Sequence, residues 1–163
     1  KALGQLCTDL PRYQNGLFGI DPPFVFLDKL YLTYLDREPL FIRINDVDPG
    51  NAANPLFYSL IPLGFKMDIY LKIKGLKTLS KSNFRVTIGK FDVTDRISYI
   101  VSTTRGYKLS LTNVRLCPNP PQPNTVIPVK VEAVRDGERV SDTTYIQIAG
   151  NPGNWQNIKE GGC

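Results

Sequence analysis

The chain has 163 residues, of which 42% are hydrophobic and 13 are proline, a composition typical of a folded, loop-rich protein rather than a disordered one. It carries a net charge of +5 and has no histidine. The missing histidine removes the usual general base of Ser, Cys and Thr nucleophiles and the commonest zinc ligand. Because no carboxylate pair, phosphate loop or nucleophile elbow is recognisable either, the sequence predicts a protein that is not an enzyme and needs no cofactor or metal.

Runs with the two-residue period of β-strands follow one another along the chain. In chain order they are "FVFLDKLYLTYL" (24–35), "LFIRI" (40–44), "KMDIYLKIKG" (66–75), "NFRVTIG" (83–89), "GYKLSLTNV" (106–114) and "TTYIQIA" (143–149). No window carries a convincing helical stripe. Clusters of Gly, Pro, Asn and Asp separate the runs, so the pattern predicts an all-β chain folded as an antiparallel β-sandwich.

The clearest local prediction is a hairpin within "PNTVIPVKVEAVRDGERVSD", residues 123–142. Asp136-Gly137 is a favoured two-residue turn between alternating strands. It sets Arg135 opposite Glu138 and Ala133 opposite Val140, and it predicts a surface ion pair between Arg135 and Glu138.

The residues "LTNVRL…PNTVIPVKVEAVRDGERVSDTTYIQI", within about 107–148, resemble the last three strands of a fibronectin type III module. The resemblance lies in a leucine-bearing strand, a P-N-T corner, an alternating strand ending in Ala-Val, and a glycine turn. It implies an immunoglobulin- or fibronectin III-like sandwich. Two positions depart from the family pattern: Ile127 stands where the family has its corner tyrosine, and Pro128 predicts an edge strand or a bulge.

The most linker-like stretch is "DPGNAANP", residues 48–55, and it predicts a boundary near residues 48 to 60. We expect residues 1–60 to form an N-terminal β unit or strands added to the same sandwich. Residues 61–150 would then be the fibronectin III-like sandwich, and residues 151–163 a C-terminal tail.

Cys7, Cys117 and Cys163 make an odd count, so at most one bridge forms within the chain. Cys7 and Cys117 are the candidate disulfide pair, because Cys163 ends an "EGGC" tail and is then free or bonded to another molecule. Free structural thiols are the alternative, since cysteine is common in ordinary cores. The absence of a CxxC spacing argues against zinc.

The segment "NDVDPGN", residues 45–51, contains the carboxylate and amide oxygens that calcium prefers. It lacks the glutamate that closes an EF-hand loop. Its Asp, Pro, Gly and Asn content is also typical of a solvated turn. We therefore predict a turn rather than a metal site.

Positive charge is concentrated between Lys66 and Lys90, where seven basic residues stand against one acid, Asp68. The candidate contact residues are Lys72, Lys74, Lys77, Lys81 and Arg85. We expect the lysines to form a basic strip along one exposed sheet edge and its adjoining loop. Such a strip suits an acidic polysaccharide, an acidic protein or an anionic lipid, whereas nucleic acid is disfavoured because no interleaved aromatic pattern accompanies it. The alternative is a solubilising surface that protects an edge strand from self-pairing.

These features predict a non-catalytic extracellular or cell-surface β-sandwich module that makes protein–protein contact in adhesion, a receptor ectodomain or assembly. A structural subunit of a capsid, coat or fibre and an acidic-polysaccharide-binding accessory domain are the alternatives. The chain begins at Lys1 without a signal-peptide core, which predicts a secreted protein or ectodomain fragment cut from a longer precursor. It has no apolar run of the roughly 18 residues that a membrane-spanning helix needs.

Overall fold

The computed structural model describes residues 38–150, and these residues contain strands and three short 3₁₀ turns but no α-helix. The strands are β1 (Phe41–Asp48), β2 (Leu56–Phe57), β3 (Phe65–Lys74), β4 (Phe84–Ile88), β5 (Phe91–Asp92), β6 (Ile97–Thr103), β7 (Gly106–Val114), β8 (Thr125–Arg135) and β9 (Glu138–Ala149). They belong to a compact unit that begins at Leu40. The prediction of an all-β chain is confirmed for this part. The run at residues 24–35 lies outside the described residues.

The alternation seen in the sequence determines which face of each strand is buried. In β3, Met67, Ile69 and Leu71 are completely buried, whereas Lys66 and Lys72 are exposed. The other predicted inward positions are buried in the same way: Phe84, Val86, Ile88, Leu109, Leu111, Ile146 and Ile148. Each such side chain stabilises the fold by about 1.5–3 kcal/mol when it leaves water, so the strands are stable only with this face covered.

The strands form two sheets, which we call sheet A and sheet B. Sheet A has the order β1-β3-β7-β6, and sheet B has the order β2-β9-β8-β4-β5. All neighbours are antiparallel except β2 and β9, which run parallel. The buried faces of both sheets contribute to one hydrophobic core.

The segment before residue 61 supplies strands to both sheets. β1 pairs with β3 in sheet A, and β2 pairs with β9 in sheet B. The stretch "DPGNAANP" begins at the last residue of β1 and connects it to β2, inside the same compact unit.

The predicted hairpin is confirmed residue by residue. Arg135 is paired with Glu138, Val134 with Arg139, and Ala133 with Val140. Asp136 has a φ of 49° and Gly137 a φ of 83°, the positive values that a tight two-residue hairpin turn requires.

The prediction that Pro128 marks an edge strand or a bulge is wrong. β8 lies between β9 and β4, and its pairing with β9 passes through Pro128 and Tyr145 without a shift in register. The physical reason is the length of β4, whose pairing with β8 ends at Val129 opposite Ile88. Pro128 therefore lies just beyond the β4 ladder, where its missing N–H breaks no bond of that ladder.

Candidate functional site

The structure separates the five predicted contact residues. Lys72 and Lys74 are exposed on β3, which is an inner strand of sheet A between β1 and β7. Lys77 and Lys81 are exposed in the connection from β3 to β4, and Arg85 lies on sheet B. The expectation of one sheet edge is wrong, because alternation indicates which face a residue occupies but not which strands are neighbours.

The outer surface of sheet A collects cations from three strands. Arg43 of β1 lies directly opposite Lys72, and Lys108 of β7 lies opposite Tyr70 of β3. We call this surface the basic face and define it by five cations: Arg43, Lys66, Lys72, Lys74 and Lys108. Arg43 and Lys108 are not among the site residues that the sequence predicts, although each occupies the polar position of an alternating run.

Three carboxylates lie on the outer surface of sheet A, those of Asp46, Asp48 and Asp68, and each accepts a hydrogen bond from a neighbouring group. Asp46 accepts a 2.7 Å ion-pair contact from Arg105 and a 2.9 Å bond from the Val47 N–H. Asp68 accepts a 2.7 Å hydrogen bond from the Ser110 hydroxyl. Within residues 38–150, no carboxylate lies within ion-pair distance of the five cations that define the face. The face therefore carries a net positive charge.

Two tyrosine rings on the outer surface of sheet A each lie beside a cation. The Arg105 guanidinium lies 4.0 Å from the centre of the Tyr70 ring, and the Lys108 ammonium lies 5.6 Å from that of Tyr99. A hydrogen bond with the Ser110 side chain, and then the positive charges of Lys108 and Lys66, lower the pKa of Tyr99 below its ordinary value. The charges of Lys108 and Lys66 therefore act on the Tyr99 hydroxyl in addition to its hydrogen bond.

The outer surface of sheet B is different. Its acid Glu132 lies 4.0 Å from Arg85 and 3.7 Å from Arg139, so both arginines lie beside a carboxylate, unlike the cations of the basic face. Three large apolar side chains stay exposed on β2, β8 and β9, and we call them the apolar patch: Phe57, Val126 and Tyr145.

An open cleft of 680 Å³ lies where sheet B meets the turn before β6. Its charged lining consists of two cations, Lys81 and Arg85, and two acids, Asp92 and Asp95. Hydrogen bonds from the side chain and then the backbone of Thr94 lower the pKa of Asp92. Equal numbers of fixed positive and negative charges give this cleft no preference for an anionic or cationic ligand.

The segment "NDVDPGN" divides between a strand and a turn. Asn45–Asp48 ends β1, and the turn begins at Pro49. The side chain of Asn51 donates to Asp46 at 3.2 Å, and that of Asn54 donates to Asp48 at 2.5 Å. These internal bonds use the oxygens that a cation would need, and residues 38–150 contain no cluster of three or more acidic or cysteine side chains that could hold a metal ion.

Cys117 is half-buried just after β7 and packs against the core. Its predicted partner Cys7 and the C-terminal Cys163 lie outside the described residues. The Cys7–Cys117 bridge therefore stays a prediction.

Arg135 fixes the loop that carries Lys77. Its guanidinium donates to the Gly75 carbonyl at 2.6 Å and to Glu138 at 2.6 Å, which confirms the predicted ion pair across the turn. Its side chain is only 18% exposed, and the bond to Gly75 is partly buried, whereas Glu138 is 50% exposed. The hairpin β8–β9 and the β3–β4 connection are thereby tied together.

We expect Arg135→Ala to lower the free energy of unfolding by about 1.5–3 kcal/mol, since hydrogen bonds from a charged, half-buried donor are lost. Urea unfolding measures the change. Arg139→Ala is the matched control on the same hairpin: its side chain is 60% exposed, so it should cost under about 0.5 kcal/mol. Equal losses in the two variants would contradict the assignment.

No protein-family model matches this chain, and no curated protein is significantly similar to it. In the part of the chain that the structure describes, no helix has the length and apolarity needed to cross a membrane.

Proposed function

We propose that this chain is a non-catalytic binding module of the immunoglobulin or fibronectin III type that acts at the cell surface or outside the cell. The strand order supports the fold assignment. Immunoglobulin constant-type domains place their first, second, fifth and fourth strands in one sheet and their seventh, sixth and third in the other. If β2 is counted as a continuation of β1, and β5 as an extra edge strand, sheets A and B have this order.

The ligand that we propose is an acidic polysaccharide, bound on the basic face. The observation that carries the proposal is a set of five cations that lie beyond ion-pair distance of every carboxylate in residues 38–150. Their spacing follows from the sheet: neighbouring strands are about 4.8 Å apart, and alternate residues along a strand are about 6.8 Å apart. A flat grid of positive charge with this spacing suits a polymer whose anionic groups repeat at similar intervals.

The tyrosines favour a polysaccharide over other anions. The Tyr99 side chain is 38% exposed, and the Lys108 ammonium lies 5.6 Å from the centre of its ring. An aromatic ring offers an apolar surface to the C–H face of a sugar, while the neighbouring ammonium group attracts its carboxylate or sulfate. A small inorganic anion would use the charges but not the ring.

A second candidate function is protein–protein contact through the apolar patch on sheet B. Val126 is 59% exposed and Tyr145 is 64% exposed, and a hydrophobic surface of this kind favours a protein partner. This function uses the opposite sheet, so the two proposals are tested by different variants.

The test of the polysaccharide proposal is binding to a heparin-like sulfated polymer, with neutral dextran as the control. We expect binding at low salt that weakens steeply as the screening length shortens to roughly 8 Å at physiological ionic strength. Dextran should not bind. Absence of binding at low salt, or equal binding of dextran, would overturn the proposal.

A further inference from the structure

β6 is the outer strand of sheet A, and its free edge lacks the features that usually prevent strand pairing. It pairs with β7 on one side, and no described strand pairs with the other. Its sequence, ISYIVST, contains no charge, proline or glycine. Edges without such residues are templates for pairing with a further strand. The turn Lys81–Asn83 lies near β6, but Val101 and Ser102 remain exposed.

The other sheet edges are short or already bonded. β2 and β5 are two residues long. β4 extends beyond its pairing with β5, and there the Val86 N–H donates a 3.0 Å hydrogen bond to the Thr94 hydroxyl. On β1, the Ile44 N–H donates to the Asp142 carboxylate at 2.8 Å. β6 is therefore the edge of the described sheets most open to a new strand.

We propose that β6 pairs with β6 of a second copy of this chain, antiparallel and about a two-fold axis at Ile100, so that the two A sheets become continuous. Side chains that face each other across a strand pair must lie on the same face of the sheet. In a register centred on a residue, that residue faces its own copy across the two-fold axis. The register of β6 shifts between Ile97 and Tyr99, so the regular alternation begins at Tyr99. Only registers centred on Ile100 or on Val101 then satisfy the condition over most of the strand.

The register centred on Ile100 has the better side-chain match. It places Tyr99 opposite Val101 of the second copy, an aromatic and β-branched pair that stabilises cross-strand contacts. The two-fold axis forms this pair twice. A register centred on Val101 would place Tyr99 opposite Thr103, so the β-branched apolar partner would be replaced by a polar one.

Self-complementarity is the reason for choosing a second copy over a foreign segment. The strand is uncharged, so its self-pairing meets no like-charge repulsion between paired residues, and each copy supplies both members of the Tyr99–Val101 pair. The two basic faces would lie on the same side of the joined sheet. A polymer that bound both would gain avidity, although the pairing itself does not depend on the proposed ligand.

The experiment is sedimentation velocity of the chain from about 5 µM to about 500 µM, a range that covers weak dimers. We expect concentration-dependent dimerisation. Val101→Lys should raise the dimer dissociation constant at least about tenfold, because edge lysines oppose pairing and the two new charges lie diagonally across the seam. An equimolar mixture of Val101→Lys and Val101→Glu should recover dimerisation as a heterodimer. Val101→Thr, which keeps the branched shape, should dimerise as the unchanged chain does.

Val126→Lys is the matched control, since it replaces an exposed strand valine on sheet B, and it should leave dimerisation unchanged. Circular dichroism checks that each variant keeps its strands. A chain that remains monomeric over the whole range overturns the proposal. It is also overturned if Val126→Lys abolishes dimerisation while Val101→Lys does not, because the interface would then be the apolar patch.

Discussion

Gly50→Ala should lower the free energy of unfolding by roughly 3–5 kcal/mol. The substitution removes no side-chain contact, so the whole loss would come from the added methyl group. Gly50 is buried and has a φ of 127°, where residues with a Cβ are strained by about 1–3 kcal/mol. A Cβ atom there would lie 2.5 Å from the Ile146 Cγ2, a contact that forces repacking at a further cost of about 1–3 kcal/mol. Its carbonyl also accepts the Gln147 N–H at 2.9 Å, which restricts any shift of the backbone.

Gly137→Ala is the control that separates backbone strain from packing. Gly137 has a φ of 83°, but nothing lies within 4 Å of an added Cβ, so only about 1–2 kcal/mol should be lost. Urea unfolding of both variants measures the difference. If both lost the same amount, the contact with Ile146 would not be the cause.

The sequence predicts those parts of the fold that depend on local chemistry. Alternation in Met67, Ile69 and Leu71 reflects a strand with one covered face, and Asp136-Gly137 supplies the positive φ values of its own turn. Both features are complete within a few residues of chain. The effect of Pro128 depends instead on where β4 ends, at Ile88, which is distant in the chain, and no local pattern contains that information.

The sequence likewise predicts only those residues of the candidate site that local chemistry identifies. Lys72 and Lys74 were identified because their alternation and charge are local. Arg43 and Lys108 join them only through pairing between strands that are distant in the chain. Arg85 was included because it is close in sequence, yet it lies on sheet B beside Glu132. Charge density along a chain therefore predicts a surface only when its residues share a sheet.

The most direct test of the basic face is the double variant Lys72→Glu, Lys74→Glu. Both side chains are exposed, so the free energy of unfolding should change by no more than about 0.5 kcal/mol. Lys72 lies opposite Arg43, and a glutamate there would form a cross-strand ion pair that replaces a like-charge contact. Loss of binding in this variant therefore cannot be attributed to unfolding if its stability is retained.

We expect the double variant to bind the sulfated polymer about 30- to 700-fold more weakly at low salt. It changes four unit charges at the contact surface, each worth about 0.5–1 kcal/mol when exposed, and each 1.4 kcal/mol corresponds to a factor of ten. The matched control is Lys90→Glu, Lys130→Glu, which changes the net charge equally at two exposed positions, one in the turn between β4 and β5 and one on β8 of sheet B. A face-specific ligand should bind the control within about threefold of the unchanged chain, since long-range attraction is screened. Equal loss in both variants would mean that net charge alone attracts the polymer and that sheet A has no special role.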